Sequence, residues 1–105
     1  MRILLDECLP LDFRHSFPGH DAHTAQWAGF KSKKNGELLR AAESAGYDVF
    51  LTVDQGIPHQ LPAGGKISII LVRSRTNQIE DLVTFIDVIL RALEVITPGQ
   101  IIAIP

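Results

Sequence analysis

The sequence predicts an α/β protein, a three-layer α/β/α sandwich built on a mostly parallel sheet. Three observations carry that reading. Short apolar runs, among them Ile3-Leu4-Leu5, Val49-Phe50-Leu51 and residues 67–72, lack polar alternation. That is the pattern of strands covered on both faces, as in the centre of a parallel sheet. Segments with helical spacing and helix stop signals lie between these runs. Two of the runs stop on acids, Asp6-Glu7 and Asp54. Parallel strands deliver their carboxyl ends to one edge, and ligands of open parallel sheets bind there.

The first run, ending at Asp6, is a strand; Pro10 then suits the first turn of a helix whose apolar side is Leu11, Phe13 and Phe17, with Pro18-Gly19 as its end. Residues 20–24 form a short second strand. Residues 25–34 are irregular and hold Trp27, Gly29, Lys31, Lys33 and Lys34. A helix follows with Asn35 as N-cap, Leu38, Ala41, Ala42 and Ala45 on one face and Gly46 as its stop. Asp48 leads into the third strand, and residues 55–66, with two prolines and three glycines, read as a loop containing a helical turn. Residues 67–72 are a buried strand ending on Arg73-Ser74-Arg75.

The last helix is predicted over 79–96, with Glu80 and Asp81 at its positive end. Ile79, Leu82, Val83, Ile86, Ile89, Leu90 and Leu93 make its core stripe, and Phe85, Val88, Ala92 and Val95 a second apolar set. A helix apolar on two sides needs two covering surfaces, so a homodimer through this C-terminal helix is expected. Pro98-Gly99 ends it, and residues 100–104 are the final strand.

At 105 residues the chain is one domain, 1–105, and its apolar share of 46% is enough for a packed core rather than a disordered tail. A net charge of −2 carries no global footprint for nucleic acid but leaves room for a local basic strip. The lone Cys8 excludes an internal disulfide and a cysteine-rich zinc site, and reads as a small buried apolar residue. No run is long enough to cross a bilayer and the start lacks signal-peptide features, so a soluble cytoplasmic protein without membrane contact is expected.

Four carboxylates carry the chemistry: Asp6, Glu7, Glu37 and Asp54. Mg²⁺ and Mn²⁺ take oxygen ligands, commonly one or two carboxylates plus water and substrate phosphate. Such an ion polarises a phosphoryl oxygen and lowers the pKa of the attacking water, so phosphodiesters hydrolyse without a protein nucleophile. Each acid also has a plainer reading, Asp6 and Asp54 as turn formers and Glu37 as a partner of the helix dipole. Their conjunction at one edge favours a cation, because clustered carboxylates repel. His20 and His23, three apart on a strand, face opposite ways and cannot chelate together. No glycine-rich phosphate loop and no nucleophile elbow is present. Lys31, Lys33, Lys34, Arg73 and Arg75 flank loops expected on the same edge and are the residues predicted to contact phosphates.

The opening Arg2-Ile3-Leu4-Leu5-Asp6-Glu7-Cys8-Leu9-Pro10, the Asn35-Gly36-Glu37-Leu38-Leu39 stretch with Ala41-Ala42 behind it, and Leu51-Thr52-Val53-Asp54 together resemble the small PIN-domain-like proteins. These are predicted nucleases related to the VapC-type toxins of bacterial toxin–antitoxin pairs. The resemblance spans nearly the whole chain, in order. It implies a PIN-like sheet, Mg²⁺ or Mn²⁺ held by acids at its edge, hydrolysis of RNA, a homodimer, and a small antitoxin protein covering the site. Asp6 matches the family's first acid, Asp54 its later strand-end acid, and Thr52 the residue that supports the latter. Asn35 falls where many relatives carry a helix acid; Glu37 is the nearby substitute, although a helix turns about 200° in two residues. After the fourth strand, where relatives often carry another acid, this chain has Arg73-Ser74-Arg75.

The reading is therefore a metal-dependent ribonuclease of the toxin type. Asp6, Glu37 and Asp54 are its catalytic, metal-holding residues, supported by Glu7, Asn35 and Thr52. The alternatives are a non-catalytic PIN-like module binding RNA or protein, and a dimeric structural protein whose acids only form turns.

Overall fold

A computed structural model describes residues 1–60 and 64–105, without the side chains of Asn35, His59 and Gln60. Five strands form one sheet: β1 (Arg2–Leu5), β2 (Asp21–Thr24), β3 (Val49–Thr52), β4 (Ser68–Val72) and β5 (Ile101–Ile104). Their spatial order is β2-β1-β3-β4-β5, and every neighbouring pair is parallel. The fold is thus α/β on an all-parallel sheet, where a mostly parallel one was expected. The chain steps from β1 to one side and then crosses back over it to lay down β3. That reversal opens a crevice beyond the carboxyl ends of β1 and β3, where ligands of such sheets bind.

The apolar runs are strands because both of their faces are covered. Ile3, Leu4 and Leu5 are each 0% exposed, so β1 is buried on both sides. Successive strand residues point to opposite faces. Ile3, Leu5, Val49, Leu51, Ile70 and Val72 accordingly join one core cluster, with Phe13, Phe17, Leu82, Ile89 and Leu93. Leu4, Phe50 and Ile69 join another, with Leu38, Leu39, Ala42 and Tyr47. Each fully buried aliphatic or aromatic side chain stabilises the fold by roughly 1.5–3 kcal/mol.

Helix α1 (Asn35–Ser44) supplies Leu38, Leu39 and Ala42 to the second cluster. Its N-cap is Lys34 rather than Asn35, which is already helical. Gly46, at φ +87°, lets the chain leave the helix in a backbone conformation that a side chain would strain. The segment after Pro10 is a 3-10 helix, Leu11–Ser16, instead of an α-helix. Phe13 and Phe17 anchor it edge to face at 5.1 Å, while Leu11 stays 58% exposed instead of lying on the apolar side.

The predicted 79–96 helix is broken. It consists of α2 (Ile79–Leu82), a 3-10 turn (Val83–Phe85) and α3 (Ile86–Val95). Within the turn, the Thr84 hydroxyl donates to the Asp81 carbonyl at 2.7 Å, a side-chain bond that competes with the helical ladder. A 3-10 turn winds about 120° per residue against about 100° for an α-helix, so three residues shift the phase of everything beyond them by about 60°. The two predicted stripes are redistributed accordingly. Val83, assigned to the core, is 44% exposed. Ala92 is buried and Phe85 packs against the core, leaving only Val88 and Val95 of the second set exposed. Among the described residues, no helix is long and apolar enough to cross a membrane.

Candidate active site

The two strand-end acids meet at the crevice between β1 and β3. The Asp6 amide donates to the Leu51 carbonyl at 3.0 Å, extending the β1–β3 ladder by one residue, and Asp6 is buried at 8% exposure. Its carboxylate Oδ2 accepts the Thr52 hydroxyl at 2.7 Å. Thr52, itself fully buried, accepts the Asp54 amide on the same oxygen at 2.9 Å. One hydroxyl therefore ties the carboxylate of one strand end to the backbone of the other.

The plainer turn-forming reading holds differently for the two acids. After Asp6 the turn is closed by its carbonyl, which accepts the Leu9 amide at 2.9 Å, so its carboxylate is not spent on the turn. Asp54 does use its side chain: Oδ1 accepts the Gly56 amide at 2.9 Å and helps to shape the loop. Cys8 packs beside Asp6, and burial, followed by the Asp6 charge, pushes its thiol up to about 11. At neutral pH it is a thiol and a poor nucleophile.

Asp6, Glu7 and Asp54 line one cleft of about 210 Å³ together with Lys33, Lys34, Leu38 and Ile57. Glu37 is not on its wall. Its exposed carboxylate lies 3.3 Å from Lys33 in an i,i+4 ion pair, so it stands behind a lysine that does face the cleft. A pair this exposed is screened by water and adds little stability. The side chain of Asn35 lies outside the described residues.

The basic residues divide. Lys33 and Lys34 join the acidic cleft, whereas Arg73 and Arg75 line a neighbouring pocket of about 140 Å³ with Ser74, Asp81, Thr84 and Phe85. Lys31 is exposed. β3 and β4 pair through Thr52↔Leu71, so their loops leave the sheet side by side and the two pockets share an edge. The Ser74 hydroxyl is buried and without a hydrogen-bond partner among the described residues.

Among the described residues, no group of three or more His, Cys, Asp or Glu side chains is arranged to hold a metal. Two aspartates with open solvent in front nevertheless fit a hard divalent ion, because Mg²⁺ retains several waters and takes only one or two carboxylates. Of the described histidines, His20 and His23 are engaged elsewhere, His20 with the N-terminus at 3.2 Å and His23 with Tyr47 at 2.9 Å. The aromatic group around Trp27 was not foreseen. An unpaired tryptophan in an irregular stretch was its only trace. No family model, curated protein or solved structure matches this chain.

Proposed function

We propose that the chain is a cytoplasmic, metal-dependent ribonuclease of the toxin–antitoxin type, with a PIN-like three-layer α/β/α arrangement. The observation that carries the reading is the Thr52 hydroxyl, which holds the Asp6 carboxylate and the Asp54 backbone together at the crevice between β1 and β3. The bond from the Asp54 amide is an ST-turn of the kind that opens many loops. The bond from the same hydroxyl to a buried carboxylate 46 residues away is more than that turn needs, and it fixes the Asp6 carboxylate as a site must.

In this reading Asp6 and Asp54 hold Mg²⁺ or Mn²⁺, which supplies Lewis acidity toward a phosphodiester and an activated water. Thr52 positions Asp6, and Glu7 closes the cleft wall beside it. Lys33 and Lys34 stand where the backbone of a bound strand can run. Arg73 and Arg75 extend that track, and the Ser74 hydroxyl, without a partner among the described residues, can donate to a phosphate oxygen. Glu37 acts at the rim through its ion pair with Lys33. A small antitoxin would silence the enzyme by covering this edge. A homodimer would use Val83, Val88 and Val95, the apolar residues the C-terminal helical segment leaves exposed.

One second reading, a non-catalytic module that binds RNA through the same edge, draws on Glu37, whose carboxylate pairs with Lys33 instead of joining Asp6 and Asp54 on the cleft wall. A ribonuclease assay separates the two. The enzyme reading expects single-stranded RNA to be cut with Mn²⁺ or Mg²⁺, with activity lost to EDTA and reduced about 100-fold or more in Asp6→Asn and Asp54→Asn, as for removal of a group central to transition-state stabilisation. RNA binding without metal-dependent cleavage would establish the module instead.

A further inference from the structure

The carboxyl edge of the sheet carries a second feature, one strand away from Asp6. β2 pairs with β1 through Leu5↔Thr24, and the Ala25 amide donates to the Leu5 carbonyl at 2.9 Å, so the loop after β2 leaves beside the acidic cleft. Trp27 is on that loop and is 68% exposed. An indole offers a large apolar area that cores and interfaces normally absorb. This one is nevertheless held in place. Its amide donates to the Thr24 hydroxyl at 3.1 Å, and its ring lies on the His23 imidazole with centroids 4.0 Å apart. His23 is fixed in turn by Tyr47 Oη and Asp21 Oδ1, each at 2.9 Å. The ring is thus backed by a hydrogen-bonded support yet left open to solvent, the arrangement of a preorganised aromatic surface.

We propose that Trp27 is a stacking platform for an unpaired nucleobase of a single strand whose backbone continues into the acidic cleft. Leu11, Arg14, Ala22, His23, Thr24 and Trp27 bound a cleft of about 250 Å³. That lining combines a flat aromatic wall, a hydroxyl and one cation. The Arg14 guanidinium donates to the Leu11 carbonyl at 2.9 Å through one nitrogen, leaving other donors for a phosphate. Farther along the loop that carries Trp27, Lys31 is exposed and Lys33 and Lys34 line the acidic cleft with Asp6 and Asp54. Basic residues tracking a backbone beside an aromatic face are how single strands are gripped without sequence readout.

This inference rests on the nuclease reading, but its test needs no turnover. Trp27 is the only tryptophan, so its fluorescence reports on this site alone. The full chain without added metal would be titrated with a short single-stranded RNA, the same strand with abasic positions, a matching duplex, and a single-stranded DNA. The platform requires quenching by the base-bearing RNA, little by the abasic strand or duplex, binding about 5- to 100-fold weaker in Trp27→Ala, and substantial recovery in Trp27→Phe. Quenching by the DNA as well would extend the platform to single strands of either sugar.

Equal quenching by the abasic strand, or unchanged affinity in Trp27→Ala, would overturn it. So would emission that shifts with protein concentration alone, which would assign the indole to a second copy. RNA binding that leaves the emission unmoved would do the same and leave the indole to a protein partner. Cleavage without quenching removes the platform and keeps the nuclease; quenching without cleavage does the reverse.

Discussion

Replacing Thr52 by valine removes the hydroxyl on which the site geometry depends while nearly conserving shape. In the wild type that oxygen donates to Asp6 Oδ2 at 2.7 Å and accepts the Asp54 amide at 2.9 Å, in a position with no solvent access. A hydrogen bond to a charged group contributes about 1.5–3 kcal/mol, and an amide left unsatisfied costs about 1–3 kcal/mol. The methyl that valine adds recovers part of this, about 0.8 kcal/mol. A net loss of about 3 kcal/mol is expected, a fall in Tm of about 12–24 °C for a domain of this size. Thr52→Ser keeps the oxygen and gives up one methyl, so its cost is about 1 kcal/mol. Thermal denaturation followed by circular dichroism measures both, and calorimetric titration with Mn²⁺ reads whether the acids still converge. Valine should abolish metal binding and serine should keep it. If Thr52→Val is as stable as Thr52→Ser and binds Mn²⁺ equally well, the hydroxyl does not organise the site, and Asp6 and Asp54 are not a pair that it holds in register.

Four further outcomes are expected. The Glu43 carboxylate accepts the backbone amides of Ile67, at 2.9 Å, and Lys66, and these bonds hold its pKa below the ordinary 4.5. A depressed carboxylate stabilises the fold above its unfolded pKa and loses that contribution as pH falls through the folded value; the Tm gap between wild type and Glu43→Gln should therefore be constant near neutrality and close below pH 4.5. The Cys8 thiol, half-buried where a fully buried one was expected and pushed up from 9.0 to about 11, should react with iodoacetamide at pH 8 about 100-fold more slowly in the native protein than in urea; equal rates would contradict the raised thiol pKa beside Asp6. Phe85→Glu should lower Tm by several degrees because Phe85 packs against the core, whereas Val95→Glu, at a position 68% exposed, should leave Tm unchanged and, in a dimer, shift sedimentation to the monomer. Arg73→Ala should weaken RNA binding uniformly across sequences and reduce the slope of log affinity against log salt by about one; an unchanged slope would remove Arg73 from the phosphate track.

The strands and the two acids that end them were legible in the sequence, since both are local patterns. An unbroken apolar run bounded by an acid has few solutions other than a doubly covered strand reaching the sheet edge. The α1 face and the stop at Gly46 were legible for the same reason. The helix predicted over 79–96 was not, because its apolar spacing is continuous through Thr84 while the chain changes winding there. A phase shift of that kind decides which residues face the core, and hydrophobic composition does not register it. The membership of the cleft was equally out of reach. Asp6 and Asp54 share a wall because β3 is laid beside β1 on the side away from β2, and Thr52 meets Asp6 across 46 residues of chain. Glu37 and Lys33 both looked available in the sequence; the fold puts the lysine on the cleft wall and leaves the carboxylate paired with it off that wall. Local periodicity determines what is buried and where a strand ends. Which loops become neighbours depends on the side from which each crossover returns, and only the assembled sheet decides that.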